Sequence, residues 1–182
     1  MGTKAIRAVA LAGVVCASAQ VMAEGAYVGM DYSIVKADIT ADWYAGKFSA
    51  DPTALRFKVG TGINQNFAVE GYFATGLSED TIEGDLEAEV DSMFGIAAKG
   101  IIPASESFAL CGKLGFAKVT FEDSVGDKYK GDGLEYGVGA QFNVSEAAAI
   151  VLEYSFLPDA DNDYWEIDVE SEVISIGFQA NL

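Results

Sequence analysis

From residue 26 onward the chain alternates apolar residues with small or polar ones in runs of about ten. That is the two-residue period of a strand with one face in an apolar setting and the other in a polar one. The clearest run places Leu134, Tyr136, Val138, Ala140 and Phe142 on one face and Glu135, Gly137, Gly139, Gln141 and Asn143 on the other. Seven further runs share the pattern, at 26–34, 55–62, 67–74, 94–102, 110–117, 150–156 and 174–182, which brings the strands to eight, an even number. Short turns at Ile63–Asn66, Pro103–Ser107 and Asn143–Glu146 alternate with long polar stretches near Lys36–Pro52, Gly76–Glu89, Thr120–Asp132 and Leu157–Glu170. Three short and four long connections, with both chain ends on the short side, predict an all-β fold: an eight-stranded antiparallel up-and-down transmembrane β-barrel with short periplasmic turns and four long extracellular loops. Such a barrel must close, because lipid cannot satisfy an open sheet edge.

No segment of the chain after its leader approaches 18 consecutive apolar residues, which excludes a helical membrane protein. A soluble eight-stranded barrel would also alternate, with its apolar face turned inward around a ligand. Two features separate the cases. The polar face is rich in glycine (Gly29, Gly60, Gly62, Gly95, Gly115, Gly137, Gly139, Gly177), which suits a narrow lumen. Phe67, Phe108, Phe142 and Phe178 all fall on the apolar face near the short turns, where an aromatic girdle meets the membrane interface.

The first residues read as an export signal, with Lys4 and Arg7 before the apolar run Ala8–Ala19 and a small-residue cleavage site at Val21-Met22-Ala23. A cleaved signal peptide over 1–23 leaves one barrel domain over 24–182. Cys16 follows Gly13-Val14-Val15, which lacks the Leu of a lipobox, and Cys111 is then the one mature cysteine, expected to serve packing. Removing Lys4 and Arg7 leaves nine of the 11 bases against all 28 acids. So acidic a chain lacks the basic footprint that nucleic acid requires. It also has no histidine, which removes Ser-His-Asp and Cys-His nucleophile pairs, His-ligated metals and imidazole acid–base work.

Several stretches resemble the small OmpA/OmpX-like outer-membrane β-barrel family: Gly25-Ala-Tyr-Val-Gly, Phe67-Ala-Val-Glu-Gly-Tyr, Gly112-Lys-Leu-Gly-Phe, Leu134-Glu-Tyr-Gly-Val-Gly-Ala, Leu152-Glu-Tyr-Ser-Phe and the closing Ile176-Gly-Phe-Gln-Ala-Asn-Leu. The resemblance covers essentially the whole mature chain and implies a bacterial outer-membrane location. It also implies that the assembly machinery reads the C-terminal strand, which here ends in Leu182 where the family usually has an aromatic. Larger relatives append a peptidoglycan-binding domain, an activity not carried over here.

Within the polar phase, Arg56, Lys58, Lys99 and Lys113 face Asp31, Glu70, Glu135 and Glu153. An eight-stranded barrel is only wide enough for its own side chains, and an unpaired ion there costs several kcal/mol. These eight residues are therefore expected to pair into a lumen charge network that plugs the barrel; separately solvated charges in a wet lumen are the alternative. The long stretches carry most of the acids, which predicts an acidic outer rim. Asp159, Asp161, Asp163 and Glu170 match the oxygen-ligand offsets of a calcium loop, although Tyr164 stands where that loop needs glycine. Trp43, Tyr44, Tyr129, Tyr164 and Trp165 serve either as partner anchors or as an upper girdle. The expectation is a non-enzymatic monomer without a cofactor, structural or adhesive in role. Its partners would be outer-membrane lipid and lipopolysaccharide, and a surface ligand or host protein at the loops. A narrow porin-like channel for small solutes or ions is the alternative.

Overall fold

The computed structural model describes residues 25–41, 47–78, 80–83, 86–123, 128–162 and 167–182; the expected leader, 1–23, lies outside the described residues. Eleven strands run in order: β1 (Ala26–Ala41), β2 (Lys47–Ala50), β3 (Thr53–Asn64), β4 (Phe67–Ser78), β5 (Asp80–Glu83), β6 (Leu86–Pro103), β7 (Phe108–Asp123), β8 (Lys128–Ser145), β9 (Ala148–Phe156), β10 (Ala160–Asn162) and β11 (Ile167–Asn181). Eight of them form the wall in the order β1-β3-β4-β6-β7-β8-β9-β11. The wall closes where β11 pairs antiparallel with β1, from Tyr27↔Asn181 to Ala41↔Ile167. Its short turns, at 65–66, 104–107 and 146–147, share one end with Gly25 and Leu182.

The wall strands run further than the alternation predicts. β1 continues to Ala41, β7 to Asp123, and β6, β8 and β11 begin at Leu86, Lys128 and Ile167, so much of the expected long loops is ladder. Three short strands also lie within those stretches: β2 pairs with β1, β5 with β6, and β10 with β8 and β11.

The apolar phase switches sides partway along these strands. On β1 the outward residues are Met30, Tyr32 and Ile34 and then Lys36, whereas the inward ones change from Asp31 and Ser33 to Val35 and Ala37. On β7, Leu114 and Phe116 give way outward to Lys118, while inward Lys113 gives way to Ala117, Val119 and Phe121. On β11, Ile174, Ile176 and Phe178 face outward below Glu172 and Glu170, with Val173 and Val169 facing inward. Below the switch the barrel is apolar outside, as lipid demands; above it the barrel is apolar inside, as water demands. The inward residues of the upper part, among them Val35, Met93, Val119, Phe121, Leu157 and Val173, pack into one apolar cluster. The lower outward band carries the aromatics, with Phe67, Phe142 and Phe178 exposed and the Phe108 and Phe142 rings 5.0 Å apart.

Candidate functional site: the lumenal charge layer

Directly beneath the apolar cluster, all eight predicted lumenal ions point inward and are at most 7% exposed. Their positions follow from period two along each strand, which on β6 is interrupted only above Lys99 by a register shift between Val90 and Ser92. Arg56 is the hub. Its Nε donates to Asp31 Oδ2 at 2.8 Å, and its Nη2 donates to Glu153 Oε1 at 2.8 Å and to Ser175 Oγ at 2.9 Å. One guanidinium on β3 thus joins β1, β9 and β11, the multidentate use for which its planar fork is suited.

Lysines complete the layer. Lys58 Nζ lies 3.0 Å from Asp31 Oδ2, and Lys113 Nζ lies 2.8 Å from Glu153 Oε1 and 3.6 Å from Glu135 Oε2. Lys99 Nζ is more loosely placed, 3.8 Å from Glu70 Oε2. Asp31 and Glu153 therefore each meet two cations. Charges of opposite sign in equal number let the mutual attraction offset part of the desolvation that burying each ion entails.

Two tyrosines that the charge pattern alone did not single out belong to the same layer. Tyr27 donates to Glu70 Oε2 at 2.8 Å and Tyr72 to Glu135 Oε2 at 2.7 Å. The Tyr72 ring also has the Arg56 guanidinium 5.3 Å and the Lys113 ammonium 5.2 Å from its centre, so two cations rest against one ring. Ser155 donates to Glu153 Oε1 at 3.2 Å. With these residues, all eight wall strands contribute to the layer. The inward glycines make room for it. Tyr27 lies across Gly60 and Tyr72 across Gly95, their cross-strand partners, and a Cβ on either glycine would stand 2.2 Å from the ring. The free thiol of Cys111 is buried on the inner face of β7.

The calcium-loop residues are distributed differently. Asp159 is exposed before β10, Asp161 sits in β10 with its backbone opposite Asp168, Glu170 is exposed on β11 opposite Asp38, and Asp163 lies outside the described residues. On either side of it Ala160–Asn162 and Ile167–Val169 pair as a short antiparallel ladder, and Tyr164, where a calcium loop turns, also lies outside the described residues. Among the described residues no cluster of three or more Cys, Asp or Glu side chains is arranged to hold a metal. Of the loop aromatics, Tyr129 packs against the apolar cluster with its hydroxyl 3.4 Å from Asp123 Oδ2; Trp43, Tyr44, Tyr164 and Trp165 lie outside the described residues.

A comparison with curated proteins gives no match. Among solved structures, the crystal structure of Ail, the attachment invasion locus protein of Yersinia pestis, superimposes with a TM-score of 0.53 at 20% identity, covering 87% of this chain and 99% of Ail. A second Ail structure, in complex with the heparin analogue sucrose octasulfate, gives 0.50 at 19%, covering 85% and 98%. Neisserial surface protein A gives 0.59 at 17% identity, covering 86% of this chain and 97% of that one. At such identities the likeness is one of fold. The outer membrane protein beta-barrel domain, by contrast, matches residues 8–181 directly. The chain therefore belongs to the outer membrane protein beta-barrel domain family and is a barrel of the bacterial outer membrane.

Proposed function

We propose that the protein is a plugged, non-enzymatic barrel with a structural or surface-interaction role, exported with a signal peptide cleaved after Ala23 and inserted as a single monomeric domain. The observation that carries this is the union of two layers in one lumen: an ion network drawing on all eight strands, and an apolar cluster above it. An ion crossing the barrel would have to displace the first and shed its water in the second. Planar-bilayer recordings of the refolded barrel test it; the expected trace has no large, persistent conductance, and a narrow solute channel would produce one.

At the outer end the exposed or half-buried acids Asp38, Glu89, Asp91, Glu122, Asp123, Asp132, Asp159, Glu170 and Glu172 outnumber the bases Lys36, Lys118, Lys128 and Lys130. A rim of that sign repels polyanions and suits a basic partner or a divalent cation bridging to lipopolysaccharide phosphates. Surface plasmon resonance against polylysine and heparin checks this, with salt-sensitive binding expected for polylysine alone.

A further inference from the structure

At the short-turn end, below the charge layer, the lumen widens into a cavity of about 810 Å³ whose wall includes Tyr27, Lys99, Gln141, Asn143, Gln179 and Asn181. That is a size typical of small-molecule sites. Two of the polar side chains lining it are buried, one held loosely and one with an oxygen that has no partner. Lys99 is 3% exposed and loosely held, with Glu70 Oε2, which also receives the Tyr27 hydroxyl at 2.8 Å, 3.8 Å from its Nζ and the Tyr27 ring centre 5.7 Å away, so its ammonium keeps hydrogens to give toward the cavity. Gln179 is 5% exposed; its Nε2 donates to Asn181 Oδ1 at 3.4 Å, but its Oε1 has no hydrogen-bond partner. Buried polar groups are nearly always satisfied, so an unpartnered carbonyl oxygen in the same polar cavity as a loosely held cation specifies a complementary ligand.

We infer that the periplasmic mouth of the barrel binds a small monocarboxylate carrying an N–H beside its acid group, an acylated amino acid or the C-terminal end of a short peptide. The carboxylate meets Lys99 Nζ, which has hydrogens to give, and the N–H is donated to Gln179 Oε1, which can only accept. Glu106, exposed in the rim of the same cavity, repels a second carboxylate and restricts the ligand to one.

The test is a side-chain NMR titration of the whole mature barrel in lipid nanodiscs, following the Lys99 ammonium and the Gln179 carboxamide. N-acetylglycine is expected to give saturable shifts at both, acetate to bind more weakly, and acetamide to give none. Comparing N-acetylglycine with Ala-Ala-Ala distinguishes a single acylated residue from a peptide end. Lys99→Met should weaken N-acetylglycine about thirtyfold or more, as loss of a buried charged partner does. Gln179→Leu, which removes no charge and leaves folding the safer of the two, should weaken it about fivefold and erase its advantage over acetate. Absence of saturation in the wild type overturns the site, as does undiminished binding in folded Lys99→Met or an undiminished advantage over acetate in Gln179→Leu. Conductance plays no part in the readout, so a leaky lumen would leave this site standing.

Discussion

Asp31 and Gly177 face each other across the seam where the first and last wall strands join, so closely that a Cβ on residue 177 would lie 1.8 Å from Asp31 Oδ1 and 2.6 Å from the Met30 carbonyl oxygen. Barrel closure and the charge layer therefore share one point: the carboxylate that takes Arg56 and Lys58 occupies the space a side chain would fill.

Gly177→Ala is accordingly expected to push Asp31 off its cations and to cost at least the roughly 1–3 kcal/mol of an overpacked site. Urea unfolding in lipid vesicles, followed by heat-dependent gel mobility, measures it. Gly112→Ala is the control, because Gly112 faces outward and its nearest neighbour, the Gly137 carbonyl oxygen, would be 3.9 Å from the new Cβ. Equal losses in the two variants would remove the steric explanation.

Arg56→Met removes the group that joins Asp31 to Glu153 and Ser175. Breaking a buried ion pair by deleting one partner costs about 3–5 kcal/mol. Arg56→Lys restores the charge but not the fork, so its midpoint should fall between those of Arg56→Met and the wild type. An Arg56→Met barrel as stable as the wild type would mean that Lys58 and Lys113 neutralise the layer unaided.

Tyr72 does two jobs that substitution can separate. Tyr72→Phe keeps the ring over Gly95 but withdraws the hydrogen bond from Glu135, whose other oxygen, Oε1, has no partner; hydrogen bonds to charged groups contribute about 1.5–3 kcal/mol. Tyr72→Ala should cost more, since it also uncovers Gly95 and two cations. In a double-mutant cycle Tyr72→Phe and Glu135→Gln should couple; additive losses would argue that the hydroxyl works elsewhere.

At the outer end, Lys128 Nζ lies 3.1 Å from Glu122 Oε2 and 3.2 Å from Asp91 Oδ2. Hydrogen bonds to Glu122 and then Asp91 hold its pKa above the ordinary lysine value. A raised value in the folded state means that the contribution is complete below the unfolded lysine pKa and disappears as pH climbs through the folded one. The difference in unfolding midpoint between wild type and Lys128→Met should thus be constant from neutral pH to about 9, close at strongly alkaline pH, and shrink with salt because the pair is exposed.

The wall was legible because lipid imposes one rule on every strand: Phe94, Tyr136 and Phe178 point out, and Lys99, Glu135 and Gln179 point in. The eight ions were legible for the same reason, since parity alone put them in the lumen. Tyr27 and Tyr72 shared that parity but carry no charge, and only the glycines opposite them show why an inward ring fits. The apolar cluster escaped because the rule inverts once a strand leaves the membrane. Val119 and Phe121 occupy the inward phase begun by Cys111 and Lys113, but Lys118, Glu122 and Asp123 around them give the stretch the composition of a loop.

On the proposed reading the two layers are barriers in series. A small ion would have to part the pairs of the charge layer and shed its water in the cluster around Val35, Val119 and Phe121. Removing either barrier should leave the other in place. Arg56→Ser alone, or Val119→Ser with Phe121→Ala alone, should show no persistent conductance in planar bilayers, while the triple variant should conduct, provided heat-dependent mobility shows it folded. A large current through the Arg56 variant by itself would assign the whole resistance to the ions and leave the apolar cluster only a packing role.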